Sequence, residues 1–338
     1  MHPVKKSKLL SLILESFGVF TLFIIFSIYV DAFLSKALGF IGIMLFWLSY
    51  GFFGAVVTYI IRRLKGSWTW QDLGFKIHRS WKKDIWYGFV IFALCYFITI
   101  PFQIIFLPSV SKQISQQVGF LQQTPLPIAL LAVTGIGLII GFITGAFHEE
   151  IRYRGYLQGL FSKEIAPAFG FFVSLIPFSL GHYFSHPEWT LMQILNTLPL
   201  GIAICLGYYA SRSLLVVMSI HTIANLLLVY APYLYSRGYI QSSYTVIFLL
   251  GVFFVFICIL SKNEVKDLLV KSKELFVKSG LKMSILGILF GFIFLFVIDG
   301  LRLLKHQMDQ TTYILLLVMF SVFCLGVSFL KRNIITQK

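Results

Sequence analysis

The chain alternates long apolar runs with short polar loops, and the length of the runs gives the main structural signal. A continuous apolar stretch of about 18 residues is long enough for a helix to cross the hydrocarbon core of a bilayer. About ten such stretches are predicted on this criterion, at residues 9–30, 38–61, 85–107, 126–147, 165–184, 191–210, 214–233, 246–261, 285–301 and 313–330. The pattern therefore predicts an all-α fold, a polytopic bundle of transmembrane helices.

Composition supports a membrane protein and excludes an ordinary soluble domain. The chain is 58% hydrophobic and 12% charged, with a mean hydropathy of +0.86, whereas soluble domains carry about 25% charged residues. The four cysteines are isolated within apolar runs and form no Cys-x-x-Cys pair. We therefore expect them to pack as small apolar side chains.

The basic residues predict the orientation of the bundle. The net charge is +15, but the basic residues flank the apolar runs, so no nucleic-acid partner is expected. With the N-terminus inside, 21 basic residues fall in predicted inner loops and five in outer loops. Such an asymmetry places both termini in the cytoplasm and favours contact with anionic lipid. The Phe-, Ile- and Lys-rich composition favours a bacterial cell membrane.

Three segments are predicted from the loop pattern. Residues 1–261 form a transmembrane bundle, and its central part, about 128–230, carries most of the polar residues within spans. Residues 262–283 space apolar side chains among lysines, as an amphipathic cytoplasmic surface helix would. Residues 284–338 then supply two additional C-terminal transmembrane helices.

Ionisable and strongly polar residues gather at three places within the predicted spans. They are Glu149, Glu150 and Arg154, then His182, then His221 and Asn225. Charged groups at membrane depth are costly unless they are paired or face a wet cavity, so they mark a candidate functional site. On a helix, Glu150 and Arg154 would share a face, and so would His221 and Asn225, because each pair is four residues apart.

These residues carry a family resemblance. The motifs occur in the order Glu149-Glu150-x-x-x-Arg154, Phe178-x-x-x-His182 and His221-x-x-x-Asn225. Together they resemble the CPBP family, the CAAX proteases and bacteriocin-processing enzymes also called Abi proteins. The resemblance covers about 128–230 and implies an intramembrane endopeptidase. Its substrate would be a membrane-associated peptide or protein, either prenylated or amphipathic, within the lipid bilayer.

The resemblance implies that Glu149 and His182 activate the attacking water molecule. A metal-dependent version is equally open, because one glutamate and two histidines match the ligand sets of catalytic zinc sites. In that version Glu149, His182 and His221 would bind a divalent metal such as zinc. The Glu/His mechanism without a metal remains the alternative.

The other motif residues would complete the site. The resemblance implies that His221 and Asn225 stabilise the tetrahedral oxyanion, while Glu150 and Arg154 orient the catalytic groups. Hydrolysis of a peptide bond needs both a base and such oxyanion donors. His221 therefore has a different implied role in the metal-free and metal-dependent versions.

Other functions are compatible with the same polar residues. A non-catalytic scaffold or a bacteriocin self-immunity protein could use this fold, and intramembrane Glu, Arg and His residues can also form the proton relay of a transporter. Several further polar residues are expected to flank the site or face the membrane interface. These are Glu15, His148, Arg152, His186 and Asp299.

Overall fold

The computed structural model describes residues 6–66, 68–76, 80–185 and 191–336, with the backbone alone for some residues, His182 among them. These residues form helices joined by short loops, and no strand occurs among them. The helices are α1 (Lys6–Lys65), α2 (Trp81–Gln117), α3 (Leu126–Ile140), α4 (His148–Glu150), α5 (Gly159–Glu164), α6 (Pro167–Ser185), α7 (Leu191–Ser211), α8 (Leu214–Ser236), α9 (Ile240–Leu260), α10 (Lys262–Leu304) and α11 (Gln310–Thr336). A polytopic helical bundle is thereby confirmed.

Helix α1 contains the first two predicted spans and doubles back on itself. Its two apolar parts are Ser7–Val30 and Ile41–Lys65. Arg62 forms an ion pair with Glu15 at 3.0 Å, although a straight helix would separate these residues by about 70 Å. The two parts of α1 therefore run past each other as a helical hairpin.

Seven helices in the described part of the chain are long and apolar enough to cross a membrane. The fifth and sixth predicted spans correspond to α6 and α7, whose apolar parts with described side chains are Pro167–Gly181 and Thr197–Ser211. The third predicted span lies within α2. All ten predicted spans are therefore helical. That the third, fifth and sixth spans cross the whole membrane stays a prediction.

The helix that carries the paired glutamates has an unusual pattern of backbone hydrogen bonds. It runs without interruption over Leu126–Glu164, but its hydrogen bonding is π-helical at Gly141–Phe147 and again at Ile151–Gln158. Between these stretches, α4 holds His148, Glu149 and Glu150. π-Helical turns are rare and occur mostly at functional sites. We call the whole run Leu126–Glu164 the motif helix.

The chain divides into two compact units, each built from separate stretches of sequence. The first contains 1–75, 148–181 and 275–338, and the second contains 76–147 and 182–274. The motif helix passes from the second unit to the first between Phe147 and His148. Helix α10 is interrupted at Gly280, where φ is +72°, so the basic stretch predicted at 262–283 is mostly one helix.

Within the first unit, the C-terminal helices pack closely on α1 and α6. The Ser321 hydroxyl of α11 donates to the Gly18 carbonyl of α1. Gly287 of α10 faces the backbone of Phe169, and a Cβ at position 287 would lie 2.8 Å from the Phe169 Cα. Small residues at helix contacts allow such close backbone approach in membranes.

We expect Gly287→Ala to destabilise the first unit by about 1–3 kcal/mol, because the added methyl group meets the backbone of Phe169. The matched control is Gly300→Ala in the same helix, where a Cβ would meet nothing within 4 Å. Thermal unfolding in detergent compares the two variants. Equal unfolding midpoints for both would contradict the observed packing of α10 on α6.

Candidate active site

Glu150 and Arg154 form a fully buried ion pair on the motif helix. Both side chains have 0% exposure, and Arg154 Nη1 lies 3.3 Å from the Glu150 carboxylate. The guanidinium also stacks on the ring of Phe178 from α6, with its Cζ 3.9 Å from the ring centroid. Phe178 belongs to the second sequence motif, so two motifs meet at Arg154. Because the ion pair lies within one helix, the contact of Arg154 with Phe178 is what joins this pair to α6.

Glu149 differs from Glu150 in being accessible. Its side chain is 20% exposed, and one carboxylate oxygen lies 3.9 Å from His148 Nε2. His148 is buried between aromatic rings, 4.4 Å from Trp47 and 5.5 Å from Tyr50 between centroids. His148 was expected to flank the site or face the interface, and it flanks Glu149 as a buried residue inside the unit.

Arg152, also expected to flank the site or face the interface, is buried, so the interfacial alternative is wrong. Its Nη1 donates to the Tyr50 hydroxyl at 2.9 Å, and its Nε donates to the His148 carbonyl. Its guanidinium lies over the Tyr50 ring. On α6, the Ser174 hydroxyl donates to the Tyr153 carbonyl at 2.9 Å. Side-chain donors thus bind two backbone carbonyl groups of the motif helix, those of His148 and Tyr153.

Glu15 and Asp299 are likewise buried, and the expectation that they face the interface is wrong. Glu15 accepts from Arg62 and Lys65 at 3.0 Å each. Asp299 pairs with Arg302 at 2.8 Å on α10. Sequence spacing alone could have indicated the second pair, which is three residues apart, but the partners of Glu15 lie far along the chain.

In the second unit, His221 and Asn225 of α8 face the first π-helical stretch. Asn225 Nδ2 donates to the Gly141 carbonyl at 3.4 Å. A Cβ at Gly145 would lie 2.9 Å from Asn225 Nδ2 and 3.5 Å from His221 Nε2. Glycine at these positions lets α8 approach closely, and Gly145 precedes Glu149 by four residues. The predicted common face of His221 and Asn225 is thereby confirmed.

The predicted site residues divide between the two units. Glu149, Glu150 and Arg154 lie in the first unit, and His221 and Asn225 lie in the second. His182 lies near the end of α6, with its side chain outside the described part, and His186 lies wholly outside it. Among the side chains that the structure describes, no three potential ligands form a metal site, but the predicted metal set includes His182.

Comparison with known families locates the resemblance on the same stretch. Residues 132–227 match the family model described as type II CAAX prenyl endopeptidase Rce1-like. The search against curated proteins and the search against solved structures gave no match. The matched region contains all three motifs, so the resemblance drawn from the motifs is confirmed for this region. At the level of the family, the match supports a protease that acts on membrane-associated proteins.

Proposed function

We propose that this protein is an intramembrane endopeptidase of the CAAX-protease type. The observation that carries the proposal is the Rce1-like match at 132–227, which includes every predicted site residue. Seven helices suited to a membrane agree with a reaction in or at the bilayer. The substrate would be a prenylated or amphipathic peptide segment held at the membrane.

In the proposed mechanism, Glu149 accepts a proton from water while His182 orients that water molecule. The partial exposure of Glu149 supports this role, because a general base must reach its substrate. Glu150 is fully buried and paired, so it is unsuited to bind water. The two adjacent glutamates therefore have different tasks, one chemical and one positional.

The tetrahedral intermediate would be stabilised from α8. His221 and Asn225 supply an imidazole and an amide on one helix face, and such groups are suitable oxyanion donors. The hydrogen bond from Asn225 to the Gly141 carbonyl would help to orient this amide. The Glu150–Arg154 pair would hold the motif helix so that Glu149 keeps its position.

A divalent metal is the open alternative within the same proposal. Glu149, His182 and His221 would hold it, and zinc suits this donor set. A bound metal would supply Lewis-acid activation of water or of the peptide carbonyl. Either version leaves the orienting task of Glu150 and Arg154 unchanged.

The test uses the purified full-length protein in detergent and in liposomes. A quenched fluorescent peptide library, with prenylated and unprenylated amphipathic members, reports cleavage, with and without a metal chelator. Cleavage that a chelator abolishes and zinc restores supports the metal-dependent version, and chelator-resistant cleavage supports the metal-free version. Well-folded protein that cleaves no peptide under either condition would favour a scaffold or immunity role.

We expect Gly145→Ala to lower kcat/KM by at least about tenfold, because misplacing catalytic groups by a fraction of an ångström is costly. The new Cβ would displace Asn225 Nδ2, the flexible end of a side chain, so folding should be little affected. Gly135→Ala on the same helix is the matched control, since its Cβ would meet nothing within 4 Å. Equal activity of both variants would argue against the oxyanion role of α8.

A further inference from the structure

A cavity of about 290 Å³, with several charged residues in its lining, lies in the first unit, apart from the motif residues. One end of each of three membrane spans lies at this cavity. These ends are the start of Ser7–Val30 and the last residues of Ile41–Lys65 and Leu126–Glu164. Ends of spans lie at the depth of the lipid headgroups. The sequence-based orientation puts these ends on the cytoplasmic side, where anionic lipids attract basic residues.

The charged groups lining the cavity are unequal in number. Four are basic and two are acidic, namely Lys8, Arg62, Lys65, Lys163, Glu15 and Glu164. Each carboxylate is engaged by two of these basic groups: Glu15 by Arg62 and Lys65, and Glu164 by Arg62 and Lys8. The lining therefore keeps an excess of positive charge.

A neighbouring carboxylate reduces that excess without removing it. Asp72 accepts from Lys163 Nζ at 2.6 Å, although it does not line the cavity. When Asp72 is included, the described groups leave one net positive charge. A phosphodiester, with one negative charge and several acceptor oxygens, complements this excess of positive charge.

Trp68 adds a feature typical of the membrane interface. Its ring is covered by the Arg62 guanidinium at 4.6 Å and lies 5.1 Å from Lys163 Nζ. Tryptophan is enriched at the headgroup level of membrane proteins. The cavity volume is near the lower end of the range for ligand sites, so it suits a headgroup whose acyl chains remain in the bilayer.

We propose that this cavity binds the phosphate-containing headgroup of an anionic phospholipid. Basic pockets between transmembrane helices on the cytoplasmic side are suited to such headgroups. A soluble phosphate could satisfy the same cations, but a lipid is delivered at this depth by the bilayer itself. Binding at this place would couple α1 to the inner end of the motif helix through Glu164.

The test measures binding to the full-length protein in a neutral detergent. Short-chain phosphatidylglycerol is added, with phosphatidylcholine of the same chain length and sn-glycerol 3-phosphate as separate arms. Native mass spectrometry counts retained lipid, and thermal unfolding reports the stabilisation that binding produces. The test variant is Lys8→Gln/Lys163→Gln, which removes the two lining cations that are most exposed.

The control variant is Lys266→Gln/Lys273→Gln, which removes two exposed lysines of α10 that do not line the cavity. We expect phosphatidylglycerol to bind the native chain and the control variant with equal affinity. It should bind the test variant at least about tenfold more weakly, since each basic residue near an anionic lipid strengthens binding. The unfolding midpoint of each variant is compared with and without lipid, so an effect of the substitution on the stability of the lipid-free protein does not enter the comparison.

Three results would overturn the proposal. Equal binding of phosphatidylcholine, whose headgroup has no net charge, would mean that the cavity does not recognise the net negative charge of phosphatidylglycerol. An equal effect of sn-glycerol 3-phosphate would identify a soluble anion as the ligand. Equal weakening by both double variants would show a general attraction between basic protein and anionic lipid, with no specific cavity.

Discussion

Glu149→Gln is expected to cleave about 100- to 10,000-fold more slowly than the native chain, the range that a general base contributes. Glutamine keeps the size and shape of glutamate but cannot accept the proton of water. Because the Glu149 side chain is partly exposed and the buried partner of Arg154 is Glu150, the substitution should leave the unfolding midpoint nearly unchanged. Initial rates on the best peptide of the library provide the measurement.

Two controls separate chemistry from structure in this experiment. Glu264→Gln makes the same chemical change near the start of α10, outside the motif helix, and should retain native activity. Bound metal is measured in the native chain and in Glu149→Gln. Loss of metal together with activity would assign Glu149 to a metal site, whereas loss of activity alone would assign it as the base. Native cleavage rates in Glu149→Gln would refute both roles.

The helical bundle and the motif pairs could be predicted from the sequence because they depend on local spacing. Apolar runs determine span positions, and a spacing of four residues places Glu150 beside Arg154 on a helical turn. The observed ion pair agrees with that spacing. Phe178 was part of a motif, but sequence could not show that its ring covers Arg154.

Other features depend on contacts between residues that are distant along the chain. Glu15 looked like an interfacial residue, yet its partners Arg62 and Lys65 lie about fifty positions later. Arg152 looked like a flanking charge because its partner, the Tyr50 hydroxyl, belongs to α1. The π-helical winding was equally hidden, since no residue pattern in the motif helix distinguishes it from an α-helix.

The second large effect is expected from breaking the Glu150–Arg154 pair. Arg154→Met should destabilise the protein by about 3–5 kcal/mol, because it leaves the Glu150 charge buried without its partner. The double variant Glu150→Gln/Arg154→Met should recover a large part of that loss, since no uncompensated charge remains. Denaturant titration in mixed micelles measures both variants against the native chain.

An exposed pair with the same spacing provides the matched control. Asp267 and Lys271 lie 2.8 Å apart, with side chains 41% and 34% exposed, and Lys271 also donates to the Ala210 carbonyl. Lys271→Met should cost no more than about 1 kcal/mol, as exposed pairs contribute little. A similar loss in Arg154→Met and Lys271→Met would mean that burial does not govern the strength of the Glu150–Arg154 pair.

Activity of the double variant then distinguishes two roles for the pair. If Glu150 and Arg154 orient the catalytic groups, Glu150→Gln/Arg154→Met will be stable but will cleave at least about tenfold more slowly, because small displacements of reacting groups are costly. If the pair is a structural feature alone, stability and cleavage will return together. The first outcome is the one we expect, because Arg154 joins the helix of Glu149 to Phe178 of α6, the helix that also bears His182.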